Sequence, residues 1–248
     1  MHTSDPEYDF WFPTYEEFGS DVVAIGGDLS TRRMLAAYRK GIFPWYNVPG
    51  KIWWWHPMER AILISSDVKV SKSMRNIINR GTYSCTFDKA FAEVVEGCRE
   101  GERVGNTWLH DELKDSLMQL HSMGYAHSVE TWCDGKLVGG LYGVSVGRMF
   151  FGESMFSRVP NASKIALVFL ARRLQAAGFP LIDCQVYNDH LGSMGAIVIT
   201  RENFIELHET LVKQPGIIGN WSSREEFAFG SDPLSADYEG NQPDLPNE

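Results

Sequence analysis

From Lys72 to Arg80 the apolar positions return at a helical interval. At ~100° per residue, Met74, Ile77 and Ile78 gather on one side while Lys72, Arg75, Asn76, Asn79 and Arg80 fall on the other. This spacing predicts a helix with a basic outer face, and Ser71 offers a side-chain oxygen to cap its first turn. Two core helices follow the same rule: Asp88 to Cys98 with Phe91, Val94, Val95 and Cys98 inward, and Asp111 to Met123 with Leu113, Leu117 and Leu120 inward. Nearer the start, Gly26-Gly27-Asp28-Leu29-Ser30 is a glycine turn ending in an N-cap, and Met34, Leu35 and Tyr38 continue it as a helix of a small N-terminal unit. Phe43-Pro44-Trp45-Tyr46 and Trp53-Trp54-Trp55 are interrupted by prolines and glycines and read as loop and short strand.

Further along, the segments His127 to Cys133 and Lys136 to Val144 flank Asp134-Gly135, a hairpin signal, and Arg148 to Phe151 adds a third strand of a meander. Asn161 or Ser163 then caps a helix carrying Ile165, Ala166, Phe169, Leu170 and Leu174, which Gly178 stops. A strand from Leu181 to Val186, a helical turn from His190 to Met194, a strand from Ala196 to Ile199 and a helix from Asn203 to Val212 complete the ordered part. Meander, helix, strand, helix and strand make an α+β fold with a mainly antiparallel sheet, an arrangement shared by acyltransferases of the N-acetyltransferase type. The expected division is a small domain over 1–62, a larger one over 63–221, and an acidic, mobile tail over 222–248.

Charge sharpens this picture. The formal balance of −9 argues against an RNA partner until its distribution is considered. Residues 1–21 carry six acids and no Lys or Arg, and residues 224–248 carry seven acids and one base. The body between them holds 22 bases against 19 acids, which permits a local phosphate-binding face. The acidic N-terminal stretch, broken by Pro6 and Pro13, does not resemble a secretory signal, and no run approaches the ~20 apolar residues of a membrane span. Cys85, Cys98, Cys133 and Cys184 are widely spaced, without C-x-x-C or H-x-x-x-H, which argues against a zinc site and a disulfide framework. A cytoplasmic enzyme without metal or membrane is the expectation.

Two segments hold candidate chemistry. Gly152-Glu153-Ser154 follows an apolar strand where it is expected to enter a loop. In Leu181-Ile182-Asp183-Cys184-Gln185-Val186, regular alternation sends Asp183 and Gln185 to one face and Cys184 to the other. No glycine follows Ser154 as a nucleophile elbow requires, and no G-x-x-x-x-G-K-[ST] phosphate loop is present. The segment Arg158-Val159-Pro160-Asn161-Ala162-Ser163 lacks a glycine-rich pyrophosphate cradle, which disfavours a coenzyme A-dependent N-acetyltransferase. A non-catalytic RNA-binding module would use the basic helix and the tryptophans but gives no reason for Asp183 and Gln185.

Taken in order, Gly26-Gly27-Asp28-Leu29-Ser30, Tyr38-Arg39-Lys40-Gly41-Ile42-Phe43-Pro44-Trp45, Trp53-Trp54, Thr107-Trp108, Ala126-His127-Ser128, Leu137-Val138-Gly139-Gly140-Leu141-Tyr142-Gly143, Gly152-Glu153-Ser154-Met155-Phe156-Ser157-Arg158, Asn161-Ala162-Ser163-Lys164 and Ile182-Asp183-Cys184-Gln185 resemble the bacterial leucyl/phenylalanyl-tRNA-protein transferase family over about residues 10–210. The resemblance implies a small N-terminal domain joined to an N-acetyltransferase-like domain. It also implies transfer of Leu, Phe and less efficiently Met from aminoacyl-tRNA to proteins beginning with Arg or Lys, marking them for degradation by the N-end rule pathway, without a cofactor. By resemblance, Glu153, Asp183 and Gln185 form the reaction centre, and Tyr38, Trp45 and Trp108 belong to the substrate site, the two tryptophans near the terminal adenosine and the acceptor. Leu141, Phe150, Met155, Leu167, Leu170 and Ile182 match the pocket for the transferred side chain, and Lys72, Arg75 and Arg80 match a region suited to the tRNA acceptor stem. The chain departs from the pattern at Asn106, within what usually reads Gly-Thr-Trp, and over Trp55-His56-Pro57-Met58-Glu59-Arg60.

Overall fold

A computed structural model describes residues 12–48, 51–100 and 109–227. The N-terminal unit holds strand β1 (Val22–Ile25), helix α1 (Thr31–Arg39) and strands β2 (Phe43–Val48) and β3 (Lys51–Trp55), with β3 antiparallel to both of its neighbours. Ile52 and Trp54 alternate inward along β3, the period of a strand with one covered face. Trp54 is fully buried and its indole N–H donates to the Gly26 carbonyl at 2.9 Å, so the ring adds area without stranding its donor. Ser30 caps α1 through the Arg33 N–H, and the helix buries Met34, Leu35 and Tyr38. The aromatic stretch is therefore more regular than its prolines imply. Pro44 lies in β2, an edge strand, where a missing N–H does least harm.

The larger unit consists of β4 (Glu59–Ile64), α2 (Lys72–Asn79), β5 (Ser84–Phe87), α3 (Phe91–Arg99), α4 (Asp111–Ser122), β6 (Ala126–Cys133), β7 (Lys136–Val146), β8 (Met149–Ser157), α5 (Ala162–Ala176), β9 (Leu181–Gln185), α6 (Asp189–Ser193), β10 (Ile197–Thr200) and α7 (Arg201–Val212). Among the described residues, seven strands form one sheet in the order β10-β4-β9-β8-β7-β6-β5. Every neighbouring pair is antiparallel except β8 and β9, which run parallel and are joined by α5, the crossover that parallel neighbours require. Helices cover both faces. Leu141, Phe150 and Ile182 pack with Leu167 and Leu170 of α5, while Tyr142, Val144 and Phe151 join the core formed with α1, α3 and α4.

Several boundaries move for identifiable reasons. The larger sheet takes in residues from Glu59, because β4 inserts between β10 and β9, so a boundary at residue 62 cuts a central strand. α3 begins at Phe91, three residues later than expected, because Asp88 has a left-handed backbone (φ 54°). Neither expected side chain caps α5: Asn161 itself sits at φ 70°, and Ser157 from the end of β8 accepts the Ser163 N–H at 2.9 Å instead. β8 extends to Ser157, so Glu153 and Ser154 lie within a strand, not at its exit to a loop.

The expected tail also begins too early. Trp221–Ser223 and Glu225–Phe227 are short 3-10 helices, and Trp221 stacks between His127 at 3.7 Å and Phe227 at 4.1 Å. Both Trp221 and Phe227 are buried, so 222–227 closes the α5 side of the core; 228–248 lie outside the described residues. No helix among the described residues is long and apolar enough to cross a membrane.

Candidate active site

The two strands of the parallel pair each carry a β-bulge. Phe150 pairs with Ile182 and Phe151 with Asp183. On β8, Tyr142 and Gly143 of β7 face Ser154 and Gly152, which leaves Glu153 as the extra residue. On β9, Ala61 and Ile62 of β4 face Gln185 and Asp183, which leaves Cys184 as the extra residue, and Gln185 takes a left-handed backbone with φ 61°. The second bulge breaks the alternation expected from the sequence. Cys184 and Gln185 both border the cavity described below, whereas Asp183 turns to the buried side. Left-handed backbone at a non-glycine residue is a strained arrangement that only its surroundings sustain.

Those surroundings form a continuous chain of hydrogen bonds. The Gln185 N–H donates to Asp183 Oδ1 at 2.8 Å, and the Gln185 Nε2 donates to Glu153 Oε1 at 2.8 Å. The Tyr38 hydroxyl donates to the same Oε1 at 2.9 Å, leaving Oε2 without a hydrogen-bonding partner among the described residues. Because the Gln185 amide nitrogen is committed to Glu153, its carbonyl oxygen remains to accept from a substrate. Burial pushes the Glu153 carboxyl up to about 7, against the downward pull of the Tyr38 and Gln185 hydrogen bonds. Burial and the neighbouring Glu153 raise Tyr38 well above its usual range, so the phenol stays protonated and donates.

Asp183 is fully buried and occupied: Arg60 Nε reaches Oδ1 at 2.8 Å and Arg60 Nη2 reaches Oδ2 at 2.5 Å. With both oxygens taken by the guanidinium, this carboxylate serves as a fixed partner of Arg60. Tyr38 likewise lies behind the cavity, because α1 buries it completely; its contact is with Glu153 and not with open space.

In front of this chain lies a cavity of about 690 Å³. Leu141, Phe150, Met155, Leu167, Leu170 and Ile182 all border it, as do Glu153 and Gln185. These side chains converge because β7, β8 and β9 present the same face to α5. Trp45 borders it too, 38% exposed and 5.5 Å from the Trp55 ring. Ser154, Ser157, Ser163, Asn188 and His190 give it a polar side. An apolar recess beside a raised carboxyl and an amide carbonyl suits the binding of an aliphatic or aromatic acyl group next to a group losing a proton.

Lys72, Arg75 and Arg80 are exposed along and just after α2, whose Met74 and Ile78 are buried, and none of the three borders the cavity. Trp108 lies outside the described residues. Arg60 was not singled out as a functional residue from the sequence. The signal was a lone arginine at the head of the apolar run Ala61-Ile62-Leu63-Ile64, where an ion-paired partner is needed to bury it.

Comparison with known proteins supplies the context for this geometry. Residues 62–209 match the family model described as leucyl/phenylalanyl-tRNA protein transferase, and residues 27–58 match that of its N-terminal domain. The chain belongs to this family. Among curated relatives named leucyl/phenylalanyl-tRNA--protein transferase, that of Syntrophus aciditrophicus (strain SB) is 47% identical over 209 residues, covering 84% of this chain and 87% of its own. The relative from Nitrosomonas eutropha is 49% identical over 201 residues, covering 81% and 86%. That of Nitrosospira multiformis is 50% identical over 192 residues, covering 77% and 83%. Family membership makes the chain an aminoacyltransferase.

Proposed function

We propose that the chain transfers leucine, phenylalanine and, less efficiently, methionine from aminoacyl-tRNA to the N-terminal amine of proteins beginning with Arg or Lys, and so marks them for degradation by the N-end rule pathway. The observation that carries this reading is the cavity of about 690 Å³ in which six apolar side chains adjoin Glu153 and Gln185. The donor is an activated ester, so its reaction with an amine is favourable without a nucleoside triphosphate. The acceptor nitrogen attacks the ester carbonyl carbon, the new C–N bond forms, and the bond to the ribose oxygen breaks.

The Gln185 carbonyl aligns the amine by accepting one of its N–H groups, and Glu153 takes the proton that nitrogen loses and returns it to the departing ribose oxygen. An α-amine of pKa ~7.7–8.0 is partly neutral at pH 7, so positioning supplies much of the rate. Asp183 fixes the Gln185 backbone, and the negative charge of the centre favours an acceptor with a cationic first residue. The apolar recess distinguishes Leu, Phe and Met weakly, because one methylene is worth only ~1–3 kcal/mol. Trp45 of the small N-terminal domain and Trp108 of the larger one border the terminal adenosine and the acceptor, and the larger domain acts as the N-acetyltransferase-like transfer unit.

The decisive experiment supplies radiolabelled Leu-tRNA or Phe-tRNA, without ATP, to acceptor proteins beginning with Lys, Arg or Ala. Label is expected on the Lys and Arg acceptors alone. Equal labelling of all three would overturn the acceptor assignment, and no labelling with intact binding of charged tRNA would favour a binding module. The exposed basic residues of α2 would meet the acceptor stem. Replacing Lys72, Arg75 and Arg80 together with Ala is expected to weaken tRNA binding and to lower the slope of log K against log salt by about 2–3. An unchanged slope in a filter-binding titration would move the RNA contact elsewhere.

A further inference from the structure

Arg60 is fully buried at the meeting point of four elements. From β4 it forks onto Asp183 of β9, its Nη2 also donates at 2.9 Å to the carbonyl of Gly41, and its guanidinium lies 4.8 Å from the Phe43 ring of β2 and 4.3 Å from the Phe204 ring of α7. The site tolerates no bulk on that turn. Gly41 has φ +68° and a Cβ there would come within 2.8 Å of Phe204. Each partner leads to a different wall of the cavity. Asp183 Oδ1 also accepts the N–H of Gln185, and Gly41 leads into Phe43, Pro44 and Trp45, which border the cavity as Gln185 does.

We propose that Arg60 is a positioning residue for the transfer reaction. Through Asp183 it holds Gln185 in its left-handed conformation with the amide aimed at Glu153, and through Gly41 and Phe43 it fixes the Pro44–Trp45 wall relative to that centre. This rests on the acyl-transfer reading above. A purely stabilising role fits the geometry poorly. Arg60 Nη1 has no hydrogen-bonding partner among the described residues, and a buried ion pair with an unsatisfied donor contributes less than apolar residues of the same volume. What the guanidinium does provide is a planar, two-pronged constraint with a third donor at a fixed angle, which a lysine lacks.

The test is Arg60→Lys in the full-length chain, compared with wild type in thermal melting, Leu-tRNA binding and single-turnover transfer from pH 6 to 9. Lysine keeps a positive charge facing Asp183 and loses the fork and the Gly41 contact. The expected result is a melting temperature within a few degrees of wild type, a half-saturating Leu-tRNA concentration within threefold, and a maximal rate lower by tenfold to a hundredfold at every pH. A wild-type maximal rate, or a rate loss accompanied by an equal loss of folded protein, overturns the proposal.

Should the lysine variant fail to fold, Arg60→Met with Asp183→Leu replaces the pair by apolar residues. It is expected to fold and bind charged tRNA yet transfer at least tenfold more slowly, whereas wild-type turnover again overturns the proposal. If the wild-type chain itself binds Leu-tRNA and transfers nothing, the acyl-transfer reading fails first and takes this inference with it.

Discussion

Glu153→Gln is expected to lower the rate of transfer by about 10²- to 10⁴-fold, the usual contribution of a positioned proton acceptor. Its effect on pH dependence is more diagnostic than its size. With its carboxyl pushed up to about 7, Glu153 is mostly protonated at pH 6 and mostly ionised at pH 8, so its capacity to accept a proton rises with pH through neutrality. The acceptor amine loses its own proton with a pKa of ~7.7–8.0 and imposes a second rise in the same direction. Log kcat/KM for the wild type should therefore climb with a slope approaching two below about pH 7, and that of the variant with a slope of one. Glutamine can still accept the Tyr38 hydrogen bond, so the comparison isolates proton transfer from shape. A variant that retains both the rate and the steeper slope would remove Glu153 from the chemistry.

Asp183→Ala should destabilise the fold by about 3–5 kcal/mol, because it leaves the Arg60 guanidinium buried without its counter-charge. Set against a typical total of ~5–15 kcal/mol, that loss brings the folded state close to its limit at growth temperature. Urea unfolding followed by tryptophan fluorescence would measure it. Asp183→Asn, which keeps an acceptor for the Gln185 N–H, should cost less and lose activity more selectively. If Asp183→Ala were as stable as wild type within 1 kcal/mol, the charge on Arg60 would have to be neutralised by something other than this pair.

The helices and the hairpin were legible because their signals are local. The face of α2, the inward leucines of α4 and the Asp134-Gly135 turn each lie within a dozen residues, and all three are found where the pattern puts them. β1, β4 and β5 were not anticipated. Four to six residues of mixed character carry little periodicity, and their strand identity comes from partners far along the chain. The same limit applied to the site. The resemblance named Glu153 and Gln185, and both border the apolar recess, but a two-residue alternation has no means of revealing a bulge. The bulges put Glu153 inside a strand and bring Cys184 to the cavity beside Gln185. Nor could it reveal that Asp183 is already occupied, since Arg60 lies more than a hundred residues upstream.

The parallel pairing of β8 with β9 also bears on when the enzyme becomes competent during its own synthesis. Tyr38, Arg60, Glu153 and Gln185 meet only after the crossover through α5 has docked and β9 has slid between β8 and β4. Non-local pairing of this kind is reached late in folding, when most of the chain is already available. Until β9 has been made and paired, a nascent chain therefore holds Glu153 and Gln185 on separate, unjoined segments. A chain that has not yet reached β9 has no assembled centre to offer a charged tRNA.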